Sequence, residues 1–111
     1  MYQYSPLDKK IVQERAQQFR RQTARFLEGK IAANEFLPLR LQNGLYMQRH
    51  APMLRVAVPY GLLNSTQLRM LASIAREFDK NYGHFTTRQD IQFNWPHLEQ
   101  VPDILDRLAS V

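Results

Sequence analysis

The 111 residues, 44% hydrophobic with six Phe, five Tyr and one Trp, suffice for one compact domain with its own core and are too few for two. That apolar content excludes a disordered chain and the 23% of charged residues excludes a membrane core, while fifteen Lys and Arg against ten Asp and Glu leave a net charge of +5 that favours anionic ligands. No Cys is present, which removes disulfides, thiolate metal sites, iron–sulfur ligation and a cysteine nucleophile from these residues.

The opening residues MYQYSPLDKK contain no apolar leader, and no apolar run approaches the roughly 18 residues that span a bilayer, so a cytoplasmic protein is the expectation. Ser5-Pro6 reads as a helix cap followed by a first-turn proline, with Asp8 where the helix dipole favours negative charge. Val12, Ala16, Phe19, Thr23 and Phe26 then form one amphipathic stripe up to Gly29, predicting a helix over about residues 6–28. Lys9, Lys10, Arg15, Arg20, Arg21 and Arg25 make its other face basic, which reads as a solvated face. From Leu39 to Gln48 apolar and polar residues alternate around Asn43-Gly44, a dipeptide suited to a two-residue β-hairpin turn, and a hairpin is predicted there.

Met53 to Val58 predicts a strand stopped by Pro59 and Gly61. Asn64 or Ser65 caps a following helix whose apolar stripe is Leu68, Leu71, Ala72, Ala75 and Phe78. Two short strands, His84–Thr87 and Ile91–Trp95, come next, and a last helix from about Gln100 carries Val101, Ile104, Leu105 and Leu108 on one face. The expected fold class is α+β: a ferredoxin-like β-α-β-β-α unit without its closing strand, preceded by a helix and a hairpin. We divide the chain into an N-terminal helix and linker over 1–34 and a half-domain over 35–111, packed as one body. The last helix reaches Val111 without a closing strand, so a piece of a longer chain is the expectation.

Strand residues alternate between sheet faces. Leu54, Val56, Val58, Phe85, Ile91, Phe93 and Trp95 are expected to pack against the helices. Arg55, Ala57, His84, Thr86, Arg88, Gln92 and Asn94 then share the other face, with Asp90 apart at the turn. Eleven of the fifteen cationic residues are Arg, whose planar fork suits bidentate oxyanion binding, so this face has the chemistry to hold a polycarboxylate or a small oxyanion. Alternation alone favours the plainer reading, a small sheet with one side turned to water.

Gly83-His-Phe-Thr-Thr-Arg-Gln-Asp-Ile-Gln-Phe-Asn-Trp95 is similar to the Thr-x-Arg-Gln-x-x-Gln-Phe motif of siroheme-dependent nitrite and sulfite reductases. Met53-Leu-Arg-Val-Ala-Val-Pro-Tyr-Gly61 resembles the strand that precedes it, in the family's order with a helix between, and the N-terminal segments are similar to the leader of the bacterial branch. This resemblance implies a fragment of an oxidoreductase that carries out six-electron reduction of sulfite to sulfide or nitrite to ammonia with siroheme and a 4Fe–4S cluster. It implies that Arg55 reaches the substrate anion, that Arg88 binds siroheme carboxylates, and that Thr86, Gln92 and Asn94 line the macrocycle. His84 stands where some relatives have another Arg, and Asn94 where some have His.

Without the family's cluster-ligating cysteines, the 111 residues are expected to be inactive by themselves and to hold no siroheme tightly. Their implied partners are the rest of the enzyme chain, with its second half-domain and cluster-binding domains, and an electron donor protein or subunit. A symmetric homodimer would cover the surface left by an absent half-domain. No nucleic acid and no membrane are expected. A basic ferredoxin-like nucleic-acid-binding or interaction module is the alternative reading, although Phe85, Phe93 and Trp95 are placed on the core face rather than as an exposed stacking platform.

Overall fold

A computed structural model of the chain describes residues 4–47 and 52–111. The elements in order are α1 (Pro6–Leu27), α2 (Ala33–Gln42), β1 (Leu45–Met47), β2 (Pro52–Val56), α3 (Ser65–Phe78), β3 (His84–Phe85), β4 (Ile91–Phe93) and α4 (Val101–Ala109). A 3-10 turn at Pro59–Gly61 follows β2, and another at Leu98–Gln100 leads into α4.

α1 begins as its sequence predicts. Ser5 Oγ accepts the Asp8 N–H at 3.1 Å and Asp8 Oδ2 accepts the Ser5 N–H at 3.0 Å, a reciprocal cap that satisfies two otherwise orphaned donors. These bonds hold the Asp8 carboxyl below the ordinary carboxylate range, the Ser5 N–H contributing most and the Ser5 hydroxyl next. A folded pKa below the unfolded one makes the stabilisation complete above the unfolded value, about 4, and removes it as pH falls through the folded value. The melting temperatures of the native chain and Asp8→Asn should therefore differ at neutral pH and converge below about pH 4, followed by circular dichroism at 222 nm.

Along α1, Ala16, Phe19 and Thr23 are buried, and Phe26 is half-buried with its ring stacked 4.4 Å from that of Phe36; Val12 stays exposed. Arg20 does not belong to a purely solvated face: it bridges to α4, with Nη2 2.7 Å from Asp103 Oδ1 and also bonded to Asp106 Oδ2. Those two acids raise its pKa further, the Asp103 hydrogen bond first.

The hairpin expected around Asn43-Gly44 is not formed. Leu39 to Gln42 continue α2, Asn43 is its C-cap, and Gly44 at φ +77° ends it. Positive φ serves a helix C-terminus as well as a hairpin turn. The helix is decided by Phe36, which is buried with its ring 5.9 Å from that of Phe19 and against Phe26. Only Leu45–Met47 of the predicted segment is strand, and Gln48 lies outside the described residues.

All strand pairs are antiparallel in the order β1-β2-β4-β3. From β2 onward the order is β-α-β-β-α, as predicted. β1 lies on the flank of β2 away from β4, where a closing strand of such a unit would pair, so β2 has neighbours on both sides. Leu45, Leu54, Ile91 and Phe93 point from the sheet into one core with Phe19, Phe36, Leu71, Ile74, Val101 and Ile104 from the four helices.

Asn64 caps α3 through a reciprocal pair with Gln67. The buried stripe of α3 is rotated from the predicted one: Leu71, Ile74 and Ala75 are buried, whereas Leu68 and Ala72 are exposed. α4 buries Val101, Pro102 and Ile104, with Leu105 and Leu108 partly covered. No helix among the described residues is long and apolar enough to cross a membrane.

Candidate functional site

The helices pack on the sheet face of Leu45, Leu54, Ile91 and Phe93. The opposite face, termed the open face, carries Tyr46, Met53, Arg55, Gln92 and His84, of which His84 is exposed, Tyr46, Arg55 and Gln92 are partly exposed and Met53 is buried. Antiparallel register aligns side chains directly across strands, and the register here pairs Arg55 with Gln92 and Gln92 with His84. These three residues from β2, β4 and β3 therefore form one cross-strand row on the open face. Asn94 lies two residues beyond Gln92, just past the end of β4, and its backbone N–H donates to Asp79 Oδ2 at 3.3 Å. At the opposite end Thr86 faces Asp90 across the turn, with the Thr86 N–H donating to the Asp90 carbonyl at 3.1 Å.

Arg88 reaches this neighbourhood from a turn rather than from a strand, because β3 ends at Phe85. Its N–H donates to Thr86 Oγ1 at 3.1 Å, and the reversal is completed by Gln89 at φ +62°. The Arg88 side chain is exposed and makes no ion pair among the described residues. Elsewhere Arg20 is neutralised by Asp103 and Asp106, and Arg107 by Glu77. Uncommitted positive charge is therefore available at this end of the sheet.

Arg55 is held on two sides. Its Nε lies 3.5 Å from Asp90 Oδ2, within ion-pair distance but not forming a hydrogen bond, so Nε is buried without a hydrogen-bond acceptor. Its Cζ sits 5.7 Å from the centre of the Tyr46 ring on β1, a cation–π contact. Asp90 does not stand apart as its turn position implied. It is 8% exposed, pairs with Arg55, and accepts a hydrogen bond from Thr86 Oγ1.

Two members of this constellation, Tyr46 and Asp90, escaped the sequence reading. Asp90 shares the parity of Gln92 and Asn94 and was detectable from alternation carried back through the turn. Tyr46 was hidden because β1 was read as one arm of a hairpin around Asn43-Gly44. On the helix-facing side, Phe93 is buried as predicted, but Phe85 is not: it is 79% exposed on the short edge strand, beyond the reach of the helices. Trp95 is half-buried, with Lys80 Nζ 3.5 Å above its ring. No group of three or more His, Asp or Glu that could hold a metal occurs among the described residues.

The open face thus offers a row of donors rather than a row of aromatic rings. The family model of the nitrite/sulfite reductase ferredoxin-like half domain matches residues 46–111, from β1 through α4. The chain belongs to this family. An uncharacterized protein of Methanocaldococcus jannaschii is 35% identical over 73 residues, covering 64% of this chain and 26% of its own length. The assimilatory ferredoxin-dependent nitrite reductase of Haloferax mediterranei is 35% identical over 82 residues, 61% of this chain and 14% of its own. A sulfite reductase (ferredoxin) of Mycobacterium tuberculosis is 37% identical over 59 residues, 53% of this chain and 11% of its own. The chain spans at most about a quarter of the length of these relatives. No solved structure is significantly similar to it.

Proposed function

We propose that this half-domain forms one wall of the siroheme and oxyanion pocket of a reductase that converts sulfite to sulfide or nitrite to ammonia. The observation that carries this reading is the row Arg55–Gln92–His84 on the open face, flanked by Thr86, Asn94 and Arg88. Siroheme is a polycarboxylate, and anions withdrawn from water require cations and hydrogen-bond donors. The donor set fits that demand, and the exposed Arg88 side chain makes no ion pair among the described residues.

In this reading Arg55 holds and polarises the substrate anion, Arg88 and His84 engage siroheme carboxylates, and Thr86, Gln92 and Asn94 line the macrocycle. When bound, siroheme supplies electron transfer to the oxyanion with its 4Fe–4S cluster. The cluster's cysteines, the second half-domain and the electron donor come from outside these 111 residues, which contain no Cys. Residues 1–34 act as a leader to the half-domain of 35–111. A nucleic-acid platform is not favoured, since Phe93 is buried and the open face presents Arg, Gln and His in a row.

Titrating siroheme into the purified chain tests the proposal by absorbance near the Soret band. One wall alone should give weak, saturable binding, reduced about tenfold by Arg55→Gln or Arg88→Gln, the effect of losing a charge-assisted hydrogen bond. A tight stoichiometric complex would show that more than a wall is present. Equal affinities for the native chain and both variants would remove the arginines from the site.

A further inference from the structure

Asp90 is an acid on a face that otherwise gathers donors for anions. A carboxylate there opposes an anionic ligand by charge, and its burial carries a desolvation cost. Its contacts show what offsets both. Oδ2 lies 3.5 Å from Arg55 Nε, and Oδ1 accepts a hydrogen bond from Thr86 Oγ1. The same Thr86 oxygen accepts the Arg88 N–H at 3.1 Å, and the Thr86 carbonyl accepts the Gln89 N–H at 3.1 Å. One buried carboxylate is thus joined to Arg55 directly and to the Arg88 backbone through a single hydroxyl.

We propose that Asp90 is a positioning residue for the anion site: it draws in the Nε edge of Arg55, turns the remaining guanidinium N–H groups toward the open face, and fixes the turn that presents Arg88. The Tyr46 ring, 5.7 Å from Arg55 Cζ, bounds the guanidinium from β1, so the arginine has little freedom between ring and carboxylate. A cation whose side-chain freedom is already restricted loses less entropy when a ligand binds. The charge opposition of Asp90 is outweighed by this preorganisation. The inference rests on the pocket reading above and concerns how that pocket is set.

The sign of one substitution separates the roles open to Asp90. Asp90→Asn keeps the shape and an acceptor for Thr86 but removes the negative charge beside Arg55. A mere opposing charge, once deleted, would let a polycarboxylate bind more tightly; a positioning residue, once deleted, makes binding weaker although every cation is retained. We expect siroheme affinity to fall about tenfold in the same Soret titration, the usual scale for loss of a group that orients a ligand-binding side chain. The Arg55 Nε–H resonance, assigned by its disappearance in Arg55→Gln, should shift and broaden while amide resonances away from the turn stay in place. Unchanged or tighter binding with an intact amide spectrum overturns the proposal. If Asp90→Asn does not fold, Asp90→Glu, which keeps the charge and moves it by one methylene, is expected to weaken binding less, and unchanged binding there overturns it as well. Should Arg55→Gln itself leave the titration unaltered, the pocket reading fails instead, and an unchanged Arg55 Nε–H resonance in the Asp90 variant would separately reject the positioning role.

Discussion

Phe93→Ala is expected to destabilise the domain by about 3–5 kcal/mol, a large share of the roughly 5–15 kcal/mol that holds a domain of this size together. Phe93 is 1% exposed at the centre of the sheet, opposite Leu54 on β2 and within the core formed with Phe19, Ile74 and Ile104. Its ring also fixes the entry to β3, since a Cβ at Gly83 would meet Phe93 Cε1 at 3.1 Å. Truncation removes transfer energy and leaves a cavity that strands on both sides cannot easily close. Phe85→Ala is the matched control: the same deletion one strand away, at a side chain 79% exposed, should change stability by no more than about 0.5 kcal/mol. Urea unfolding followed by Trp95 fluorescence measures both. Comparable losses would mean that Phe85 is covered in solution and that the edge of the sheet is not where the structure ends it. Because Gln92 and Asn94 flank Phe93 in sequence, anchoring this ring also aims the amides of the open face.

Those amides are legible in the sequence, and the reason is period two. Arg55, Gln92 and His84 fall into one row because successive strand side chains point to opposite faces, and the antiparallel register aligns them, although burial itself alternates only along β4. The helix caps at Ser5 and, as one of two candidates with Ser65, at Asn64 were legible because a side-chain acceptor three residues before its backbone donor is a local signal. Where two structures share one local signal, the sequence was ambiguous. Asn43-Gly44 satisfies a hairpin and a helix C-cap alike, and the choice was made by Phe36 stacking between Phe19 and Phe26, contacts that span from 10 to 17 residues of chain. The same long-range decision hid Tyr46 from the site. Asp90 was lost differently, since its turn position set it apart from the face on which it pairs with Arg55. Phe85 shows the limit of alternation, which gives the face a side chain points to but not how far the covering layer extends.

Gly44→Ala should be the most informative change in the backbone, and Gly29→Ala is its natural partner. Both glycines end a helix at nearly the same angle, φ +77° for Gly44 and +78° for Gly29. A Cβ at either meets the left-handed penalty of about 1 kcal/mol. At Gly29 it would meet nothing else within 4 Å; at Gly44 it would collide with the carbonyl oxygen of Arg55. Relief requires the end of α2 to move away from β2, which breaks the 2.8 Å hydrogen bond from the Arg55 N–H to the Gly44 carbonyl. Leaving that pair unsatisfied costs a further 1–3 kcal/mol or so, making about 2–4 kcal/mol in all against about 1 for Gly29→Ala. Thermal or urea denaturation of the two variants therefore isolates the close approach of chain to chain, with backbone conformation held constant between them. The difference should extend to the site. Displacing the backbone of Arg55 moves its guanidinium relative to Asp90 and Tyr46, so Gly44→Ala should perturb the Arg55 Nε–H resonance and weaken siroheme binding, while Gly29→Ala leaves both as they are. Equal destabilisation by the two substitutions, with the Arg55 resonance unmoved in each, would show that the end of α2 does not press on β2 and that the placement of Arg55 owes nothing to the glycine before β1.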